Sequence, residues 1–414
     1  MHPTKTWLGL VVLLAAGGIW YAATRDSSPT DHSGETSATL DPALEPPKHD
    51  AASTHTSAHM EALEPHLAVA EQVFRQQFPG VEPTRDDLLF VAGELAMSSS
   101  EFDRALACYQ AVSTDHPQHG LPAKLQIGVA LVELNRAAEA EVALQAYISA
   151  ARLTQQRIDP QDVVSAFKFL TFILSVELRL EDRRPLMQEL HTIGLADPFD
   201  SKQLYFPNLL ILNSPAGQAR LTKFLEVDPH NVDLQIAQGR YYTLQGKFDE
   251  AIALLQAVSG AQPTNRAALA ALWEAHFQAG NTDEFAMLLA AAPDFAADEP
   301  WLMTTMRGEN ALENKNFALA KQHFQAVLAG DPAHAPAQMG LAFAYAGLKD
   351  EAAHATALAR SSVLAEIRVN LSSVQADAAA ASQELSDKCQ QIGFDAAATT
   401  FARHAETIRA ATNP

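Results

Sequence analysis

Three times along this chain a glycine is followed twelve residues later by an alanine, and twelve after that by a proline. The sets are Gly93, Ala105, Pro117; Gly239, Ala251, Pro263; and Gly308, Ala320, Pro332. Gly128 and Ala140 repeat the first half of the frame. Large apolar residues fall between these points at helical spacing: Tyr242, Phe248 and Leu255 in one copy, Phe317, Phe324 and Val327 in another. The spacing predicts two amphipathic helices per copy, with the small residues on the seam so that the backbones approach closely. Gly246 closes a first helix in a left-handed cap. Asp228-Pro229 and Asp331-Pro332 end second helices, because proline cannot continue the ladder and restrains the residue before it. Each hairpin leaves an apolar side open, so the copies must stack.

A helix–turn–helix repeated every 34 residues or so resembles the tetratricopeptide repeat family. Clear units fall at 86–119, 121–155, 232–265 and 301–334, with looser ones at 266–299 and 335–368. Between Asp159 and Asn231 the frame is nearly lost, at a length that suits two degenerate units. Trp273 and Phe285 stand where the family has its small residue and its alanine, which implies a splayed or repacked hairpin. The resemblance implies an all-α, right-handed solenoid of helical hairpins. Repeats are expected over 86–158 and 232–368, with degenerate repeats over 159–231. Capping helices are expected at 60–85, around EPHLAVAEQVF, and at 369–414, where Phe394, Phe401 and Ile408 form one stripe.

Ahead of the repeats, six residues precede an apolar run from Trp7 to Ala23, flanked by Lys5 and Arg25. Its length is at the lower limit for spanning a bilayer, and Trp7, Trp20 and Tyr21 suit interfacial anchors. We read 7–24 as a single-pass anchor or uncleaved signal, the alternative being export after cleavage. The positive residues before the run place the repeats on the extracytoplasmic side, periplasmic in a bacterium. Residues 25–59, rich in Ser, Thr, Pro and Asp, are too poor in large apolar side chains to order themselves and read as a flexible tether. His55 and His59 have helical metal-pair spacing there but no third ligand, so no metal is expected.

A net charge of −20 argues against a nucleic-acid partner. Cys108 and Cys389 cannot build a disulfide framework. No metalloprotease, phosphate-loop, nucleophile-elbow or Cys-x-x-Cys motif occurs, so neither an enzyme, a cofactor nor a small-molecule substrate is expected. The family resemblance implies a concave face lined by first helices that binds peptides or other proteins. Carried over by position, that face comprises Glu94, Val129, Arg240, Glu274, Glu309 and Phe343, with Ile236, Thr305 and Met339 one turn away, then Thr243, Phe277 and Leu312. The family's carboxylate-clamping set of lysines, arginine and asparagines is missing, and Arg240 beside Glu274 and Glu309 suits a mixed or basic ligand. In the degenerate middle, Val163–Leu178 reads as a buried helix, and Tyr205 and Phe206 as a hot spot or as core. The expected function is a membrane-tethered interaction scaffold, the alternative being a permanent subunit of an envelope complex for secretion, polysaccharide export or cofactor maturation.

Overall fold

The computed structural model describes residues 55–154, 158–205, 215–292, 296, 299–373 and 379–412. Every regular element among them is helical. The helices are α1 (His55–Gln77), α2 (Arg85–Ser98), α3 (Phe102–Ala111), α4 (Gly120–Glu133), α5 (Ala137–Leu153) and α6 (Pro160–Val176). Then come α7 (Leu180–Thr192), α8 (Pro198–Tyr205), α9 (Pro215–Val227), α10 (Val232–Leu244), α11 (Phe248–Ala261), α12 (Arg266–Ala279) and α13 (Thr282–Ala290). The last are α14 (Trp301–Glu313), α15 (Phe317–Gly330), α16 (Ala335–Gly347), α17 (Glu351–Ser373), α18 (Ala379–Gln391) and α19 (Asp395–Thr412). The chain forms two compact units, residues 1–166 and 167–414.

Local chemistry places the helix starts. Thr84 caps α2 in a capping box, its hydroxyl accepting from the Asp87 N–H while the Asp87 carboxylate accepts from the Thr84 N–H at 2.8 Å. Asn231 and Asn265 cap α10 and α12 with their side-chain oxygens, each satisfying an N–H that the helix leaves free. The turns inside the hairpins each need one left-handed residue. Gly246 and Gly280 supply it after α10 and α12, as the glycine cap predicts, but Ser100, Asn135, Lys315 and Lys349 take the same conformation elsewhere.

The seam glycines do something more specific than allow close backbones. A Cβ placed on Gly308 would lie 2.6 Å from the Phe324 ring, and one on Gly239 would lie 2.5 Å from Leu255. Gly93 meets Tyr109 and Gly128 meets Leu144 in the same way. In each hairpin the glycine makes room for the large side chain sixteen positions on. The alanines of the frame, Ala105, Ala140, Ala251 and Ala320, are fully buried. Tight packing of this kind tolerates no added methyl without movement.

In the first unit α1 lays Leu63, Leu67 and Ala70 on Leu89, Ala96, Ala105 and Tyr109, which fits the expected N-terminal cap. The described helix begins at His55, ahead of the expected end of the tether at His59. In the second unit α10–α12 share one core (Ala251, Leu255, Ala268, Leu272) and α14–α16 another (Ala320, Phe324, Val327, Leu341). Trp273 takes the place of a seam glycine and fills a separate cluster with Phe285, Met303 and Met306, so the hairpin is repacked and α13 is short. The C-terminal helices carry Phe394 and Phe401 into a core with Leu364, Ile367 and Leu385, and that core also receives Met187, Leu204 and Tyr205 from α7 and α8. Among the described residues no helix is long and apolar enough to cross a membrane; Trp7–Ala23 lies outside them.

Candidate functional site

The first helices of successive hairpins in the second unit, α10, α12, α14 and α16, stand side by side. Repeat register therefore sets Arg240, Glu274, Glu309 and Phe343 in one row across their inner face. The row's first pair is in direct contact: Arg240 Nε donates to Glu274 Oε2 at 3.1 Å. Arg240 Nη1 also donates to the Leu178 carbonyl at 3.1 Å. A pocket of about 300 Å³ opens beside this pair, lined by Thr243, Leu244, Gly246, Phe248, Glu274 and Gln278.

Further along the row the charge is not neutralised. Glu309 is half-buried and has no cation against it among the described residues; burial, with Glu313 beside it, raises its carboxyl above the ordinary range. Phe343 on α16 is 56% exposed, and Met339 one turn earlier is 38% exposed. These two large apolar side chains share one face of α16, the helix that packs beside the one carrying Glu309.

The other expected positions are less available. Ile236 belongs to the buried core of α10–α12, Thr243 is buried with its hydroxyl on the Gly239 carbonyl, and Thr305 is buried with its hydroxyl on the Trp301 carbonyl. Phe277 is half-buried and packs edge-on against Phe285 at 5.4 Å. Tyr205 is core: its ring stacks on Phe394 at 4.3 Å, whereas Phe206 lies outside the described residues. In the first unit, by itself, Glu94 is half-buried and accepts from Tyr109 Oη at 3.3 Å. Burial, reinforced by Asp162, pushes its carboxyl up to about 7 against the opposing tyrosine bond, and Asp162 itself is raised to about 6 by burial and Asp159.

The structure adds residues that the repeat pattern does not point to. The α6–α7 turn and the start of α7 reach α10 and the ends of α14 and α15 through hydrogen bonds. Glu181 Oε1 accepts from the Trp301 N–H at 2.6 Å, and Arg184 Nη1 donates to Asp331 Oδ1 at 2.7 Å. The Arg184 guanidinium also sits 6.0 Å from the Trp301 ring centre and 5.9 Å from that of Tyr205. In sequence these groups appear as an ordinary charged helix and a helix-ending Asp-Pro. No group of three or more His, Cys, Asp or Glu among the described residues is arranged to hold a metal.

The geometry defines a stacked helical-hairpin repeat with an inner face, and comparison with known proteins agrees. Two tetratricopeptide repeat models match the chain, one over residues 90–162 and 213–265 and the other over 242–303. Tetratricopeptide repeats are therefore present in both units. Such repeats are typically non-catalytic scaffolds for protein partners. No curated protein gives a significant match. Among solved structures, a tetratricopeptide repeat protein from Parabacteroides merdae is 11% identical with a TM-score of 0.31, covering 63% of this chain and 98% of its own. The Cut9–Hcn1 hetero-tetramer of APC/C matches at 14% identity and TM-score 0.30, over 87% of this chain and 83% of that one. A human IFIT1 dimer with m7Gppp-AAAA matches at 12% identity and TM-score 0.36, over 83% and 81%.

Proposed function

We propose that this chain is a membrane-tethered interaction scaffold that binds a peptide segment or partner protein on the inner face of its second unit. No catalytic chemistry is assigned to it. The observation that carries the reading is the face of α16 on which Phe343 and Met339 stay exposed. Exposed Phe and Met side chains on one helical face are the residue types enriched at interface centres. A stacked repeat holds that surface preformed, so little ordering entropy opposes capture of an extended or helical segment.

The tether rests on sequence: the Trp7–Ala23 run, its flanking Lys5 and Arg25, and the polar stretch that follows. A flexible chain of that composition reaches about 30 Å and would hold the repeats clear of a bilayer on the extracytoplasmic side. Carbonate extraction of native membranes tests this; release of the full-length chain into the soluble fraction would contradict it. Binding is tested by replacing Phe343 and Met339 with serine. The double variant keeps its helix content and loses the protein that co-purifies with the native chain. Unchanged co-purification would overturn the assignment of this surface.

A further inference from the structure

In three hairpins the residue nineteen positions after the seam glycine is a buried valine: Val112, Val258 and Val327. In the α4–α5 hairpin, counted from Gly128, it is Tyr147. Tyr147 is 1% exposed, and its hydroxyl has no hydrogen-bond partner among the described residues. The valines bring no polar atom into the joint between hairpins. The tyrosine brings one that is taken from water and left unpaired, which folded chains seldom keep without a use.

The charged groups acting on that hydroxyl are Asp162 and Asp159. Asp162, in the first turn of α6, also acts on Glu94 of α2, so Glu94, Asp162 and the Tyr147 hydroxyl make one cluster. Glu94 Oε1 accepts from Tyr109 Oη at 3.3 Å. Glu94 and Asp162 are half-buried and Asp159 is exposed, so the cluster opens to solvent through its acids, while both tyrosines are buried. Neither Glu94 nor Asp162 has a cation against it among the described residues. Burial holds both carboxyls above the ordinary range, as it does for acids that lack a counter-charge.

These acids are not placed to hold a metal ion together. A group that joins them must be larger and carry several donors. A guanidinium offers five N–H donors in one plane, enough for two carboxylates and a hydroxyl oxygen at once. Glu94 follows Gly93 as Arg240 follows Gly239, so repeat register puts it on the inner face of α2, open to a segment laid along that face.

We propose that Glu94, Asp162 and the Tyr147 hydroxyl form a site for an arginine side chain of a partner protein, the guanidinium bridging the two carboxylates and donating to the tyrosine oxygen. The site belongs to the first unit alone and does not depend on the Phe343 surface.

The test uses the full-length chain in detergent, its tyrosine rings isotopically labelled for NMR, and a capped Gly-Arg-Gly peptide as probe. The Tyr147 and Tyr109 signals are expected to shift saturably with this peptide, and not with one carrying citrulline, the neutral isostere of arginine. Glu94→Gln and Asp162→Asn should each weaken binding about tenfold or more, since each removes a charge-assisted partner. Tyr147→Phe separates a ligand role from a structural one. Read on the Tyr109 signal, it should weaken binding about fivefold, while the melting temperature holds or rises because no unpaired hydroxyl is buried. No saturable shift, or an equal shift with the citrulline peptide, would overturn the proposal. So would a Tyr147→Phe chain that melts lower or binds the arginine peptide as tightly as the native chain.

Discussion

Glu181 and Trp301 lie 120 residues apart in sequence, yet the Glu181 carboxylate accepts the Trp301 backbone N–H at 2.6 Å. One helix of the frame-poor middle thus completes the start of a helix in the fourth clear repeat of the chain. The second unit is held by such long connections as well as by neighbour-to-neighbour stacking. Arg403 donates to the Gly194 carbonyl at 3.0 Å and Lys202 to the Leu371 carbonyl at 3.2 Å.

Removing Arg184 should expose how much this closure contributes. Arg184 and Asp331 are both nearly buried, so Arg184→Ala leaves an uncompensated carboxylate and costs about 3–5 kcal/mol. The Arg184→Met, Asp331→Asn double variant should recover a substantial part. Urea denaturation of the three variants checks this; a cost under about 1 kcal/mol for the single variant would mean the pair is solvated.

Gly308 should not accept a methyl group. Its Cβ would stand 2.6 Å from the Phe324 ring, which is itself wedged against Gly340. Gly308→Ala is expected to destabilise by about 1–3 kcal/mol, whereas Gly260→Ala, which meets nothing nearby, should be neutral or slightly stabilising. Thermal melts of the pair separate the two effects.

The non-glycine turns carry strain that glycine would remove. Lys315 and Lys349 hold φ of 56° and 59° on exposed turns. A left-handed L-residue costs about 1–2 kcal/mol, and glycine loses about 0.5–1 kcal/mol in unfolded-state entropy. Lys315→Gly is therefore expected to stabilise by about 0.5–1 kcal/mol. A lowered denaturation midpoint would contradict the turn assignment.

The first unit should lose stability as pH rises. The Glu94 carboxyl, held at about 7 by burial, keeps its proton where the unfolded chain has already lost its own. The protonated folded form is thus favoured up to the unfolded pKa, and its advantage declines between about pH 4.5 and 7. Full loss is on the order of 3 kcal/mol, and Asp162, raised to about 6, acts in the same direction. Glu94→Gln should flatten the fall in melting temperature between pH 5 and 8; an unchanged slope would place the titration elsewhere.

Much of this was legible in the residues themselves. The glycine–alanine–proline frame marks α2–α5, α10–α11 and α14–α15, because seam size and helix ends are local properties. Trp273 and Phe285 announced the repacked hairpin by breaking that frame. Carrying the family's groove by position set Phe343 and Glu309 on the open row but also included Ile236, Thr243 and Thr305, which are buried. The seam glycines do more than let the backbones approach, since each also makes room for a side chain sixteen positions away. The seating of α7 had no local signal at all. Arg184 and Asp331 are 147 residues apart, and each has an ordinary reading where it stands.

The most direct test of the central claim is site-specific photo-crosslinking in native membranes. A cross-linking residue at Phe343 on the inner face is compared with one at Leu319, exposed on the second helix of the preceding hairpin. One discrete adduct is expected from Phe343 and none from Leu319. Adducts from Leu319 alone, or from both positions in equal yield, would contradict an inner-face binding surface.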